Sequence, residues 1–208
     1  MGVAAGMKIE GIDAIRSAAK RLRAVPEASA RAAYRAANTV AARVSTMAKR
    51  DIASQINLPQ SYIAQQMRTQ PATAAMPVAE VRMRLRAVRL ARFSAAQITK
   101  PARRAKGDPR RGIGAGRKQA GVAVKVARTG GRKIMPGAFL VPLRAGNTAG
   151  GNGMGVFIRQ GRDIKHLYGP SPDQLFRRWR AEAVPDIKRM LADAYASQFR
   201  YELKGSRK

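Results

Sequence analysis

Cysteine is absent from the 208-residue chain, and histidine occurs once, at His166. Without cysteine there is no disulfide framework, no thiolate nucleophile and no zinc ribbon. A single histidine is too few for a His-rich metal site and argues against a histidine-based triad. Acidic residues are scarce too: 12 Asp and Glu stand against 41 Lys and Arg, a formal net charge of +29 with a pI near 11.8. Self-repulsion on that scale favours a partner of opposite sign, either nucleic acid or an acidic protein surface. No run of about 18 apolar residues supports a membrane span. The opening MGVAAGMKIEGID lacks the basic and apolar regions of a signal peptide, and Gly6 stands where a myristoylation signal needs Ser or Thr. The expectation is a soluble protein, made and used without secretion and without a membrane partner.

The length suits one domain over residues 1–208, with a single core. Its first part, 1–68, reads as helical. Ile12, Ile15, Ala19 and Leu22 recur at helical spacing, and Pro26 is expected to end that segment. A longer alanine-rich helix from Glu27 to about Ile56 carries Ala33, Ala37, Val40, Val44 and Met47 as its apolar stripe. Asn57-Leu58-Pro59 breaks it, SYIAQQM (61–67) forms a short helical piece, and a polar linker covers 69–77.

The period changes over 78–169, which reads as sheet. In VAEVRMRLRAV, Val81, Met83 and Leu85 alternate with Arg82, Arg84 and Arg86, placing apolar groups on one strand face and guanidiniums on the other. Further short strands are predicted at 121–127, 137–143, 155–160 and 163–169, with a glycine-rich hairpin tip at 144–155. Ser171-Pro172-Asp173-Gln174 then offers an N-cap, a first-turn proline, an acid at the positive dipole end and a capping-box glutamine. The helix it starts runs over 171–203, with Phe176, Trp179, Ala183, Ile187, Leu191 and Ala194 as a stripe and Pro185 as a kink or interruption. The order predicts α+β: N-terminal helices and a C-terminal helix on one face of a mainly antiparallel sheet of four to five strands.

Residues 97–120 read as a basic loop. Within RRAKGDPRRGIGAGRKQAG, three alternating glycines precede Arg117-Lys118, but no Ser or Thr follows the lysine as a phosphate loop requires. The strand-before, helix-after setting of a dinucleotide fingerprint is also missing. Arg103, Arg104, Lys106, Arg110, Arg111, Arg117 and Lys118, with Lys100, oppose one acid, Asp108. Such a run can neutralise phosphates whatever the base sequence, and it contains no aromatic for base stacking. Three readings stay open: a solvated loop, a DNA or RNA backbone contact, and a contact with an acidic protein. The arm is expected to take its order from assembly partners or DNA. Tyr34, Trp179 and Phe199 suit core or subunit contacts, His166 a structural place in a strand, and Glu182, Asp186 and Asp193 surface charge. No residue pattern supports catalysis, a cofactor or a metal.

The helix with RAAYRAANTVAARV, then SYIAQQM, VRMRLRA, the basic glycine-bearing stretch, PGAFLVPL, GVFIRQGR, IKHLYGPS and the capped last helix follow one order. In that order the chain resembles the minor tail protein Z family of tailed bacteriophages, the tail-completion proteins. Pro136, Gly137, Phe139, Phe157, Tyr168, Gly169, Pro170 and Ser171 are the motif residues, all expected to be structural. The resemblance implies a non-enzymatic virion protein of a long-tailed phage, assembled in the host cytoplasm. It also implies a closed, hexameric ring at the head-proximal end of the tail, needed for tail maturation, head–tail joining and DNA passage. The implied partners are the tail terminator or tail tube protein, head–tail connector proteins, the tape measure protein and genomic DNA in the lumen. Arg82, Arg84 and Arg86 and the basic stretch would then face phosphates or acidic neighbours. The alternative is a free, non-sequence-specific nucleic-acid-binding protein.

Overall fold

A computed structural model describes residues 12–143 and 153–205, the side chains of 12–24 and 205 excepted. The chain runs α1 (Ile12–Gln55), α2 (Gln60–Gln66), β1 (Met67–Gln70), β2 (Glu80–Met83), β3 (Val88–Arg89), β4 (Ala96–Pro101) and β5 (Arg117–Val124). It continues through β6 (Lys133–Met135), β7 (Ala138–Pro142), β8 (Met154–Gln160), β9 (Asp163–His166), β10 (Tyr168–Gly169) and α3 (Pro172–Gly205). The class is α+β. Among the described residues the strands are shared by four small sheets, β1-β2, β10-β3, β4-β5-β6 and β7-β8-β9, rather than joined in one. A register shift between Ile98 and Thr99 and prolines at 101, 136 and 142 punctuate the ladders. Of the glycine-rich tip expected at 144–155, residues 144–152 lie outside the described residues.

The expected stop at Pro26 is not made, and α1 passes through it as one helix. A proline removes one backbone bond at a cost of about 3 kcal/mol, whereas the alanine-rich flanks have the highest helix propensity. Likewise α3 passes through Pro185 without interruption. The stripe of α1 is also shifted from expectation. Ala28, Ala32, Ala36, Val40, Val44, Ala48, Ile52 and Ile56 are buried in steps of four, whereas Ala33 and Ala37 are half-buried and Met47 is exposed. Alanines occupy both 32–33 and 36–37, so periodicity could not choose between the two rows; a row in steps of four is a natural packing ridge.

The chain forms two compact units. One holds the chain up to Val44, Thr69–Val81 and the chain from Val184 onward. Its organising group is the carboxylate of Glu202, which is 8% exposed and accepts hydrogen bonds from Arg31 Nε at 2.8 Å and from Arg35. The hydrogen bond to Glu202 raises the Arg31 pKa. Ser29 Oγ and Tyr195 OH lie 2.8 Å apart, and Asn38 clasps Ala72 by donating to its carbonyl at 3.0 Å and accepting from its N–H at 2.7 Å.

The other unit holds Ser45–Arg68 and Arg82–Ala183. Its fully buried side chains include Ile52, Leu58, Ile63, Val88, Phe93, Val122 and Val156. Asn57, in the predicted break after α1, donates through Nδ2 to Ser94 Oγ and to Lys125 O, both at 3.0 Å, while its backbone N–H donates to Val126 O at 2.8 Å. Gln97 Nε2 donates to Gly121 O at 2.7 Å, and its Oε1 accepts from Leu140 N–H at 2.9 Å, stitching β4 to β5 and β7. The start of α3 follows the expected capping box: Gln174 N–H donates to Ser171 Oγ at 3.4 Å and Ser171 N–H to Gln174 Oε1 at 3.3 Å. Phe139 and Phe157 stand opposite each other in the β7–β8 register, ring centroids 6.3 Å apart.

The two motif glycines do different work. Gly137 adopts a left-handed φ of +74°, whereas Gly169 lies against the fully buried ring of Phe93, where any Cβ would collide. Gly169→Ala is therefore expected to destabilise the protein by about 1–3 kcal/mol through overpacking. Urea unfolding of the variant beside Phe93→Leu/Gly169→Ala checks this: the double variant should recover part of the loss.

Candidate functional site

The basic stretch is not a loose loop. β4 and β5 pair antiparallel from Ala96↔Ala123 to Pro101↔Arg117, so Lys100, Arg117 and Lys118 stand on strands. The connection, 102–116, is braced by its own backbone. Ala102 N–H donates to Gly116 O at 2.7 Å, Gly116 N–H to Ala105 O at 2.8 Å, and Asp108 and Ile113 exchange N–H···O bonds at 2.7 and 2.9 Å. Ile113 is buried, and Gly107, at φ +76°, packs so closely on Ile113 and Gly114 that no side chain fits. The expectation that this arm needs partners for its order is thus corrected. The glycines close a tight turn inside a hairpin, where amide pairing within the chain replaces coupled folding.

The structure divides the predicted cations by what they already hold. Arg111 Nε meets Asp108 Oδ2 at 3.0 Å, and its guanidinium lies 5.9 Å from the Phe139 ring centroid. Arg117 donates to Thr99 Oγ1 at 2.7 Å and Thr99 O at 3.1 Å. Arg103, Arg104, Lys106, Arg110 and Lys118 are exposed. Lys118 stands directly opposite Lys100 across the ladder, an arrangement of like charges that costs energy unless an anion lies between them.

Arg82, Arg84 and Arg86 are exposed but are not one strand face. β2 ends at buried Met83, and Leu85 is 74% exposed. Arg84 N–H donates to Gln66 O at 2.7 Å, and no strand follows until Val88. Arg82 and Arg84 instead line a groove of about 290 Å³ with Gln65, Gln66, Arg68 and Met83, and Arg86 does not take part. Arg68 was missed because it falls where sequence placed a short helix running into a polar linker; its charge was the only signal. The tying roles of Asn57, Gln97 and Glu202 gave no local signal, since the partners described above are 24 to 171 positions away.

Guanidinium and ammonium groups donate hydrogen bonds and carry fixed charge at neutral pH, so this surface can hold anions but is not suited to abstract protons. Among the described residues, no group of three or more His, Cys, Asp or Glu is placed to hold a metal ion, and no helix is long and apolar enough to cross a membrane. Of the motif residues, Phe139 is buried and Phe157 half-buried. Phe157 stacks on His166 with centroids 4.5 Å apart, and His166 lies 4.6 Å from exposed Tyr168. Pro136 is exposed, Pro170 is half-buried, and Ser171 is buried as the cap of α3.

His166 is held neutral: burial lowers its pKa, and the positive charge of Arg89 lowers it further. The unfolded chain therefore takes up this proton at higher pH than the folded one, and stability contributed by neutral His166 is lost as pH falls below about 6.5. Melting temperature should drop between about pH 7.5 and about pH 5.5, above the range where most carboxylates titrate. His166→Gln should flatten that drop; an unchanged pH slope would show that the histidine does not carry it.

A family model described as prophage minor tail protein Z (GPZ) matches residues 11–207. No curated protein and no solved structure matches the chain.

Proposed function

The chain belongs to the prophage minor tail protein Z family, a family with a structural role in phage tails, and from that membership we propose that it completes the head-proximal end of the tail. In this reading copies of the chain close into a six-membered ring, which matures the tail, joins it to the head and lets DNA pass. The observation that carries the reading is the family match, which spans nearly the whole chain and both compact units. Its neighbours in the virion would be the tail terminator or tail tube protein, the connector proteins, the tape measure protein and the genome. The net charge of +29 supports a place among polyanions or acidic subunits. A ring with cations toward its lumen would meet phosphates without reading bases. Heterologous contacts between copies close into a ring when the rotation fits.

Disruption of the gene in a phage that encodes the chain provides the test, read by electron microscopy and plaque titre. The expected result is filled heads and separate or aberrant tails, with titre restored by supplying the chain in trans. Fully joined, infectious particles lacking the chain would overturn the proposal. Normal joining accompanied by a loss of DNA compaction in the cell would favour the free nucleic-acid-binding alternative.

A further inference from the structure

We propose that the groove formed by Arg68, Arg82 and Arg84 over Gln66 is a docking site for an acidic peptide segment of a partner protein, an inference that rests on reading the chain as a tail protein with protein neighbours. The exposed guanidiniums of Arg68 and Arg84 line one groove of about 290 Å³ together with Arg82, buried Met83 and buried Gln66, and among the described residues no acidic one lines it. Arginine pairs with carboxylates through two parallel N–H···O bonds, so a run of Asp or Glu matches this wall in both charge and shape.

Gln66 decides between classes of anion. It is 8% exposed, and its side-chain Oε1 is buried without a hydrogen-bond partner. A buried acceptor left unpaired costs about 1–3 kcal/mol, so a ligand that brings a donor gains affinity here. A phosphodiester backbone carries acceptors only and leaves Oε1 unanswered. A peptide supplies both groups: carboxylates for the arginines and, once the Gln66 amide turns toward the groove, backbone N–H groups for Oε1. A second copy of this chain is a poor source, since its 12 acids stand among 41 bases.

The test is fluorescence anisotropy on the full chain at about 150 mM salt, where long-range charge effects are screened. The probes are a labelled, end-capped oligoglutamate peptide and a labelled DNA duplex. Two charge-matched variants are compared, Arg68→Gln/Arg82→Gln/Arg84→Gln in the groove and Arg103→Gln/Arg104→Gln/Lys106→Gln in the hairpin. The groove variant should weaken peptide binding about tenfold or more and the hairpin variant less than about threefold, with duplex binding weakened alike in both. Gln66→Met should weaken the peptide several-fold without lowering the melting temperature. Should the triple groove variant fail to fold, Arg84→Gln and Gln66→Met carry the same comparison. Equal weakening of the peptide by the two triple variants, unchanged peptide affinity in Gln66→Met, or selective loss of duplex by the groove variant would overturn the proposal. Those outcomes leave the tail assignment untouched, whereas joined particles lacking the chain would remove that assignment without altering the binding data.

Discussion

The constraint on which this structure depends is a surplus of positive charge that its own carboxylates cannot neutralise. With 12 acids against 41 bases, several of the acids are placed where they anchor an arginine. Glu202 accepts from Arg31 and Arg35, Asp108 holds Arg111 within the hairpin turn, and buried Asp173 holds Arg177 at 2.9 Å in the first turn of α3. Exposed pairs such as Arg189 with Asp186 add at most about 1 kcal/mol each, whereas a buried carboxylate fixes geometry because leaving it unpaired is costly. Many of the remaining described cations are exposed, on the two long helices as well as on short strands and tight turns.

Rigid presentation follows from the backbone more than from the charges. Gln97 and Asn57 spend side-chain amides on main-chain groups of distant strands, so small sheets of two or three strands are tied into one unit without long ladders. Phe93 fills the centre of that unit, and Gly169 lets the β10 backbone lie against it. The hairpin turn is held by the Asp108–Ile113 exchange and the buried Ile113, which fixes the cations around it before any partner arrives. Preorganised cations bind an anion without the entropic cost of ordering a loop.

Features encoded by neighbouring residues could be read in advance. The Ser171–Gln174 capping box, the Asn57–Pro59 break and the β7, β8 and β9 segments are marked by sequence patterns a few residues long, and they stand where the sequence placed them. The errors have physical causes. Alanine on both candidate rows of α1 erased the phase of its stripe, and Pro26 and Pro185 were overridden by helix-forming flanks. The strand in VRMRLRA ended early because Arg84 turned its N–H to Gln66, so Arg86 left the face that alternation assigned to it. β4 was missed because AQITKP has no apolar alternation; its stability comes from pairing with β5 and from Gln97. The groove was not legible as a site, because Arg68 and Arg84 meet only once α2, β1 and β2 are folded together. Family resemblance, carried by the order of short motifs, was more legible than any single binding residue.

A chain with so large a surplus of cations should be under electrostatic tension when it is alone. The most direct measurement is the melting temperature of the isolated chain as sodium chloride rises from about 20 mM to about 500 mM, where the screening length shrinks from roughly 20 Å to a few ångströms. The account predicts that stability climbs with salt, because repulsion among the surplus cations outweighs the few internal ion pairs. A melting temperature that falls as salt is added would contradict it, since the charges would then be satisfied within the chain.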